Sequence, residues 1–234
     1  MNELSPIGIE AIAHLRSDFH SKFGVPRQSG LVGSLQGRIV FTPPYRQAEA
    51  LEGLEDFSHL WLIWGFSANK AQNAKHWQSK VRPPRLGGNK SMGVFATRSP
   101  FRPNGLGLSC VKIERIEWQS NEGPIIHVLG ADLMDGTPIY DIKPYIAYTD
   151  RIDDALCGFV DKIEKKRLEV RDDNKLLQAM QPEKAAALID VLKQDPRPSY
   201  QEDPGRVYGL AFAGYDVKFK VIDDCAYLQE LIKL

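Results

Sequence analysis

Apolar positions in the first two-thirds of this chain come in short runs broken by Gly and Pro, with few stretches of helical period. Residues 38–41 form a strand candidate stopped by Thr42-Pro43-Pro44. Residues 60–64, Leu-Trp-Leu-Ile-Trp, are continuously apolar, which predicts a strand covered on both faces. Residues 92–97 predict another short strand. Val111 and Ile113 alternate with charged residues, and then the phase slips to Ile116 and Trp118, as a β-bulge would make it. A further strand follows at 125–129. Short strands joined by Gly/Pro turns, without regular helices between them, predict a barrel or sandwich rather than a βαβ repeat.

The pattern changes near Asp150. Residues 161–174 are dense in charge, and residues 182–194 read as an amphipathic helix with Pro182 in its first turn and Leu188, Val191 and Leu192 on one stripe. Asp195-Pro196-Arg197-Pro198 ends it. From Val207 alternation returns, with a hairpin expected near Gly214-Tyr215-Asp216. The expected architecture is mainly β: a β-barrel N-terminal domain over 1–150, then a linker and a small α+β C-terminal domain over 151–234.

Composition narrows the function classes. The 234 residues are 43% hydrophobic and 26% charged, as in an ordinary globular protein. The N-terminus lacks the pattern of a signal peptide, and the apolar run at 60–65 is too short to cross a bilayer. Cys110, Cys157 and Cys225 are widely spaced, so neither a zinc site nor an iron–sulfur centre nor a disulfide framework is expected. Reduced, buried thiols in a cytoplasmic protein are the expectation, with no metal. Net charge is zero, yet residues 57–113 contain no Asp or Glu and carry Lys70, Lys75, Lys80, Arg82, Arg85, Lys90, Arg98, Arg102 and Lys112. A one-sign stretch of this length fits an anionic ligand or a polynucleotide backbone, or else a solvated basic face.

Four Gly/Pro-rich polar segments are placed to carry chemistry. Val25-Pro26-Arg27-Gln28 offers planar donors on a stiffened backbone, and is otherwise a surface turn. Arg82-Pro83-Pro84-Arg85 with the following Gly87-Gly88-Asn89 suits phosphate contacts, or is a rigid connector. Residues 96–109 hold Arg98, Arg102, Pro100, Pro103, Gly105 and Gly107 in one constrained loop; Gly105-Leu106-Gly107 fails as a dinucleotide fingerprint because a strand pattern follows. Finally, Asp132-Leu133-Met134-Asp135-Gly136-Thr137-Pro138 and Tyr140-Asp141-Ile142-Lys143-Pro144-Tyr145 combine a turn signal with carboxylates and tyrosines that suit an adenosine ligand, or a hairpin with an ion-paired lysine.

Together these segments resemble, in order, the TsaA/TrmO family of S-adenosylmethionine-dependent tRNA methyltransferases. The resemblance is carried by Val25-Pro26-Arg27-Gln28, Gly53-Leu54-Glu55-Asp56-Phe57-Ser58-His59-Leu60-Trp61, Arg82-Pro83-Pro84-Arg85-Leu86-Gly87-Gly88-Asn89, residues 92–104 and residues 135–145. Gln194-Asp195-Pro196-Arg197-Pro198-Ser199-Tyr200 is similar to a C-terminal motif of longer bacterial members. The resemblance implies a dimeric β-barrel that methylates N6 of threonylcarbamoyladenosine at position 37 of threonine tRNA. It assigns S-adenosyl-L-methionine to Pro26, Arg27, Gln28, Ser67, Ala68, Arg98, Leu108, Asp135, Gly136, Thr137 and Pro138. Two positions differ from the family pattern: Ser67-Ala68 stands where some relatives have His-Gln, and Gly105 where a proline is usual.

Methyl transfer from a sulfonium requires alignment, exclusion of water and removal of one proton. Asp135, Asp141 and Tyr145 are the candidate proton acceptors, and Arg82, Arg85, Lys90 and Arg197 the candidate RNA contacts. Two other readings stay open: a methyltransferase of this fold acting on another RNA or a small molecule, and a non-catalytic sensor of an adenosine ligand.

Overall fold

The computed structural model describes residues 8–66, 77–86, 90–163, 167–197 and 203–234; of Arg85 only the main chain is described. Six antiparallel strands close into a barrel: β1 (Ala13–Ser17), β2 (Gln36–Phe41), β3 (His59–Gly65), β6 (Leu106–Glu117), β7 (Ile125–Leu129) and β8 (Thr137–Pro144), in the order β1-β2-β7-β6-β3-β8. A separate two-stranded ribbon is formed by β4 (Lys80–Val81) and β5 (Met92–Gly93). Beyond Gly93 the chain turns into a 3₁₀ segment, Val94–Ala96, so the strand expected over 92–97 is shorter than its apolar pattern.

The barrel closes because each strand sends alternate residues inward. Leu15, Ile39, Leu60, Leu62, Ile126, Val128 and Ile139 are fully buried there. Trp61 and Ile63, on the other face of β3, are only half-covered, so that strand is buried on one face rather than two. The slip read near Ile113 is present: the β6–β7 register shifts between Ile113 and Arg115. Residues 106–112 pair with β3 and residues 112–117 with β7, so the bulge lies just past the point where one long strand passes from one neighbour to the other.

The chain leaves the barrel through a short helix, α1 (Ala147–Asp150). A second sheet follows, ordered β10-β11-β12-β9, from β9 (Glu169–Arg171), β10 (Val207–Phe212), β11 (Tyr215–Ile222) and β12 (Cys225–Lys233). The helix α2 (Pro182–Lys193) packs its Leu188, Val191 and Leu192 stripe into this core, whose centre is Leu210, Phe212, Val217 and Phe219. Phe19, Val32 and Leu35, from the connection between β1 and β2, belong to the same core, with the Phe19 and Phe212 rings 5.1 Å apart. That connection carries the Pro26-Arg27-Gln28 segment, so the second core braces it. Cys157 is exposed, against the expectation of buried thiols, because it lies in the irregular stretch after α1; Cys110 and Cys225 are partly buried, and all three are free.

Candidate active site

The rim of the barrel at the C-terminal end of β3 opens into a cavity of about 510 Å³. Its apolar wall is Ile63, Trp64 and Phe66 at the end of β3 with Leu106 and Leu108 at the start of β6; its polar groups are Arg27, Gln28, Thr97, Arg98, Arg102 and Asp132. Pro26, Arg27, Gln28, Arg98 and Leu108, which the family resemblance assigns to one ligand, therefore do meet around one cavity. Arg98 Nη1 donates to Gln28 Oε1 across 70 residues of sequence. The loop holding Arg98 is braced from within: Arg102 Nη1 donates to the Thr97 carbonyl at 3.0 Å, and Thr97 Oγ1 to the Val94 carbonyl at 2.8 Å. Gly105 closes this loop with φ of 56° and an N–H donated to the Arg102 carbonyl at 3.2 Å. A proline could supply neither the positive φ nor the donor.

A chain of polar groups runs from the barrel wall to the cavity. Trp64 Nε1 donates to Ser109 Oγ at 3.0 Å, and Ser109 Oγ donates to Asp132 Oδ1 at 2.6 Å. Ser109 is one of two buried polar residues among the described residues, 1% exposed, and both its donor and its acceptor are used. Burial pushes the Asp132 carboxyl above the ordinary range, and the Ser109 hydrogen bond and the charge of Arg98 pull it back only in part. The Trp64 ring lies flat over Gly107, where a Cβ would come within 2.3 Å of it, and it meets Phe66 edge-on at 4.4 Å. Arginine forks, an aromatic and aliphatic wall and one carboxylate suit a ligand that carries a ring, a carboxylate and a cationic or hydroxyl group.

The other residues named from sequence fall elsewhere. Asp135, Gly136, Thr137 and Pro138 sit at the same end of the barrel but do not line this cavity. The reason is the hydrogen bonding of their turn to β1: Ser17 N donates to Asp135 Oδ1 at 3.1 Å and Gly136 N to the Leu15 carbonyl at 2.8 Å. Thr137 is buried and donates to the Met134 carbonyl at 2.8 Å, while Pro138 lies opposite His14. Asp135 instead faces a second cavity of about 540 Å³ with Arg16, Arg38, Arg115, His127 and Lys184. Asp141 pairs with Lys143 at 3.0 Å on a half-exposed face. Tyr145 packs on Trp61 and His59 at the opposite end of the barrel. Ser67 and Ala68 lie outside the described residues.

Arg82 and Lys90 are exposed. Arg197 is not open in the same way. Its guanidinium grips Asp195 with two 2.8 Å hydrogen bonds, which raise its pKa, and its side chain is only 14% exposed. Its carbonyl accepts from Arg27 Nη2 at 3.2 Å, so the Asp195-Pro196-Arg197 stretch props a cavity arginine. Asp132, Ser109, Trp64 and Arg102 were not singled out individually by sequence reasoning. The signal available for Asp132 was an acid between two apolar residues, Ala131 and Leu133, just past a buried strand. Among the described residues no group of His, Cys, Asp and Glu could hold a metal, and no helix is long and apolar enough to cross a membrane.

A closed antiparallel barrel with an arginine-rich rim cavity, followed by a small α+β unit, defines the class of protein. The particular family follows from comparison. Residues 14–151 match the tRNA-methyltransferase O N-terminal domain and residues 165–234 the TrmO C-terminal domain. The chain is 39% identical over 229 residues to "tRNA (adenine(37)-N6)-methyltransferase" of Escherichia coli, covering 94% of this chain and 95% of that one. It is 33% identical over 171 residues to an S-adenosyl-L-methionine-binding protein of Pyrococcus abyssi, so named with the word "Probable", covering 73% and 82%. A solved structure of TrmO from Pseudomonas aeruginosa superposes with a TM-score of 0.75 at 34% identity, over 97% of this chain and 99% of that one. This chain belongs to the tRNA-methyltransferase O family.

Proposed function

We propose that this chain transfers a methyl group from S-adenosylmethionine to N6 of adenine 37 in tRNA, and that its preferred substrate is threonylcarbamoyladenosine in threonine tRNA. The observation that carries the reading is the cavity that gathers Pro26, Arg27, Gln28, Arg98 and Leu108 in a chain related to such enzymes over nearly its whole length. When bound, S-adenosylmethionine supplies an electrophilic methyl group. Arg27 and Arg98 suit its carboxylate, and Trp64, Phe66 and Leu108 suit its apolar parts and exclude water. The protein's remaining work is alignment of donor and acceptor and removal of one proton.

The substrate is expected to arrive on the exposed cations Arg82 and Lys90, with Arg85, three residues on in the sequence, proposed to join them. The Arg82→Ala/Arg85→Ala variant should bind tRNA more weakly, with a salt slope reduced by about one unit per arginine and cofactor affinity preserved. Filter binding across a series of salt concentrations checks this, and a wild-type slope would move the RNA elsewhere. A homodimer belongs to the same reading. Phe95, Phe101 and Leu108 are 73%, 42% and 54% exposed on the segment around the cavity, apolar area that a second copy would cover. Light scattering reports the molar mass. Action is in the cytoplasm, where the substrate tRNA pool resides.

The decisive experiment incubates the purified chain with labelled S-adenosylmethionine and threonine tRNA, then digests the RNA and identifies nucleosides by mass spectrometry. The expected product is N6-methylated threonylcarbamoyladenosine. Binding of S-adenosylmethionine without methylated RNA would favour the sensor reading instead.

A further inference from the structure

Methylation of an exocyclic adenine nitrogen leaves a proton to be removed. The nitrogen lone pair forms the new N–C bond while the S–CH₃ bond breaks and its electrons return to sulfur. The N–H proton then needs an acceptor within hydrogen-bond reach. An acceptor must line the cavity and be held in one orientation.

Among the described residues that line the cavity, Asp132 is the one acid. The charged groups around it are Arg27, Arg98 and Arg102, and the charge of Arg98 acts on its carboxyl. Asp135 is committed to Ser17 and Arg16, Asp141 to Lys143, and Tyr145 stands at the far end of the barrel. The Asp132 carboxylate is oriented by Ser109 and by the backbone N–H groups of Asp132 itself and Ser29, and Ser109 is oriented in turn by the Trp64 indole. We infer that Asp132 is the proton acceptor of the methyl transfer, with Ser109 and Trp64 as its positioning residues. This rests on the functional reading above. The raised affinity of the buried carboxyl for a proton makes it a stronger base than an exposed aspartate, while the Ser109 hydrogen bond and the charge of Arg98 favour its ionised form. The proton ends on a carboxylate oxygen, and the protonated acid returns it to solvent when the products leave.

The test uses the full-length chain, threonine tRNA and S-adenosylhomocysteine as the binding probe. Asp132→Asn keeps an acceptor for Ser109, so the fold and the cavity should persist, checked by calorimetric binding within about threefold of wild type. Its single-turnover rate should fall by about 100-fold or more. The wild-type rate should rise with pH through one ionisation and then level off, and Asp132→Asn should lose that limb. Ser109→Ala removes a hydrogen bond that favours the ionised form, so it should move the limb to higher pH. Carbon-13 resonances of the aspartate carboxyls give a readout without turnover: one group should titrate above the others in wild type and vanish in Asp132→Asn. An Asp132→Asn variant as fast as an active wild type overturns this inference alone. So does loss of binding with an unchanged rate at saturating donor, which would make Asp132 a ligand contact. A wild-type chain inert toward tRNA overturns the functional reading, and this inference with it.

Discussion

Arg98→Ala should weaken S-adenosylhomocysteine binding by about 1.5–3 kcal/mol, the usual value of a charge-assisted hydrogen bond. That is one to two orders of magnitude in Kd. Arg98 is the arginine that ties the Thr97–Arg102 loop to Gln28, so its loss also loosens two walls of the cavity at once. Lysine should restore little, because a point charge cannot hold Gln28 and a ligand carboxylate together in a planar fork. The overall fold should be intact, since Arg98 is exposed. Calorimetry is the measurement, and unchanged affinity in the alanine variant would take Arg98 out of the site.

Gly107→Ala should do comparable harm by a different route. The new Cβ would come within 2.3 Å of the Trp64 ring, whose own position is set by Ser109 and Phe66. Overpacking of this kind costs about 1–3 kcal/mol. If the indole turns away to relieve it, the buried Ser109 hydroxyl loses a donor and Asp132 loses its alignment. The expected result is a lower denaturation midpoint, altered tryptophan fluorescence and strongly reduced methylation. Gly93→Ala is the control: nothing lies within 4 Å of its Cβ position and its φ is −58°, so it should behave as wild type. A Gly107→Ala variant with the wild-type midpoint would show that the ring has room to move.

These two glycines show how far pattern reading reaches. Both stand between apolar residues, Met92 and Val94 for the one and Leu106 and Leu108 for the other, and nothing local separates the one that touches a ring from the one that faces open space. The same limit applied to strands. Residues 125–129, Ile-Ile-His-Val-Leu between Gly123-Pro124 and Gly130, are a strand over those residues. Residues 182–194 carry a helical stripe, and the helix runs Pro182–Lys193. At 60–64 the apolar run was equally plain, yet it did not say that Trp61 would stack near Tyr145 while Ile63 would face a ligand cavity.

Element types, the bulge, the C-terminal hairpin and the family were legible because each depends on neighbours a few residues apart, or on motifs in a fixed order. The site depends on pairs far apart in the chain: Gln28 with Arg98 at a separation of 70, Trp64 with Ser109 at 45 and Arg27 with Arg197 at 170. Barrel closure creates those meetings. It also decides between two carboxylates three residues apart. Asp132 leaves β7 toward the cavity and stays on Ser109, while Asp135 is turned to β1 by the backbone N–H of Ser17. A side chain's direction from a turn is set by which strand the turn is hydrogen-bonded to, and that partner lies more than a hundred residues away, |i−j| = 118 for Ser17 and Asp135.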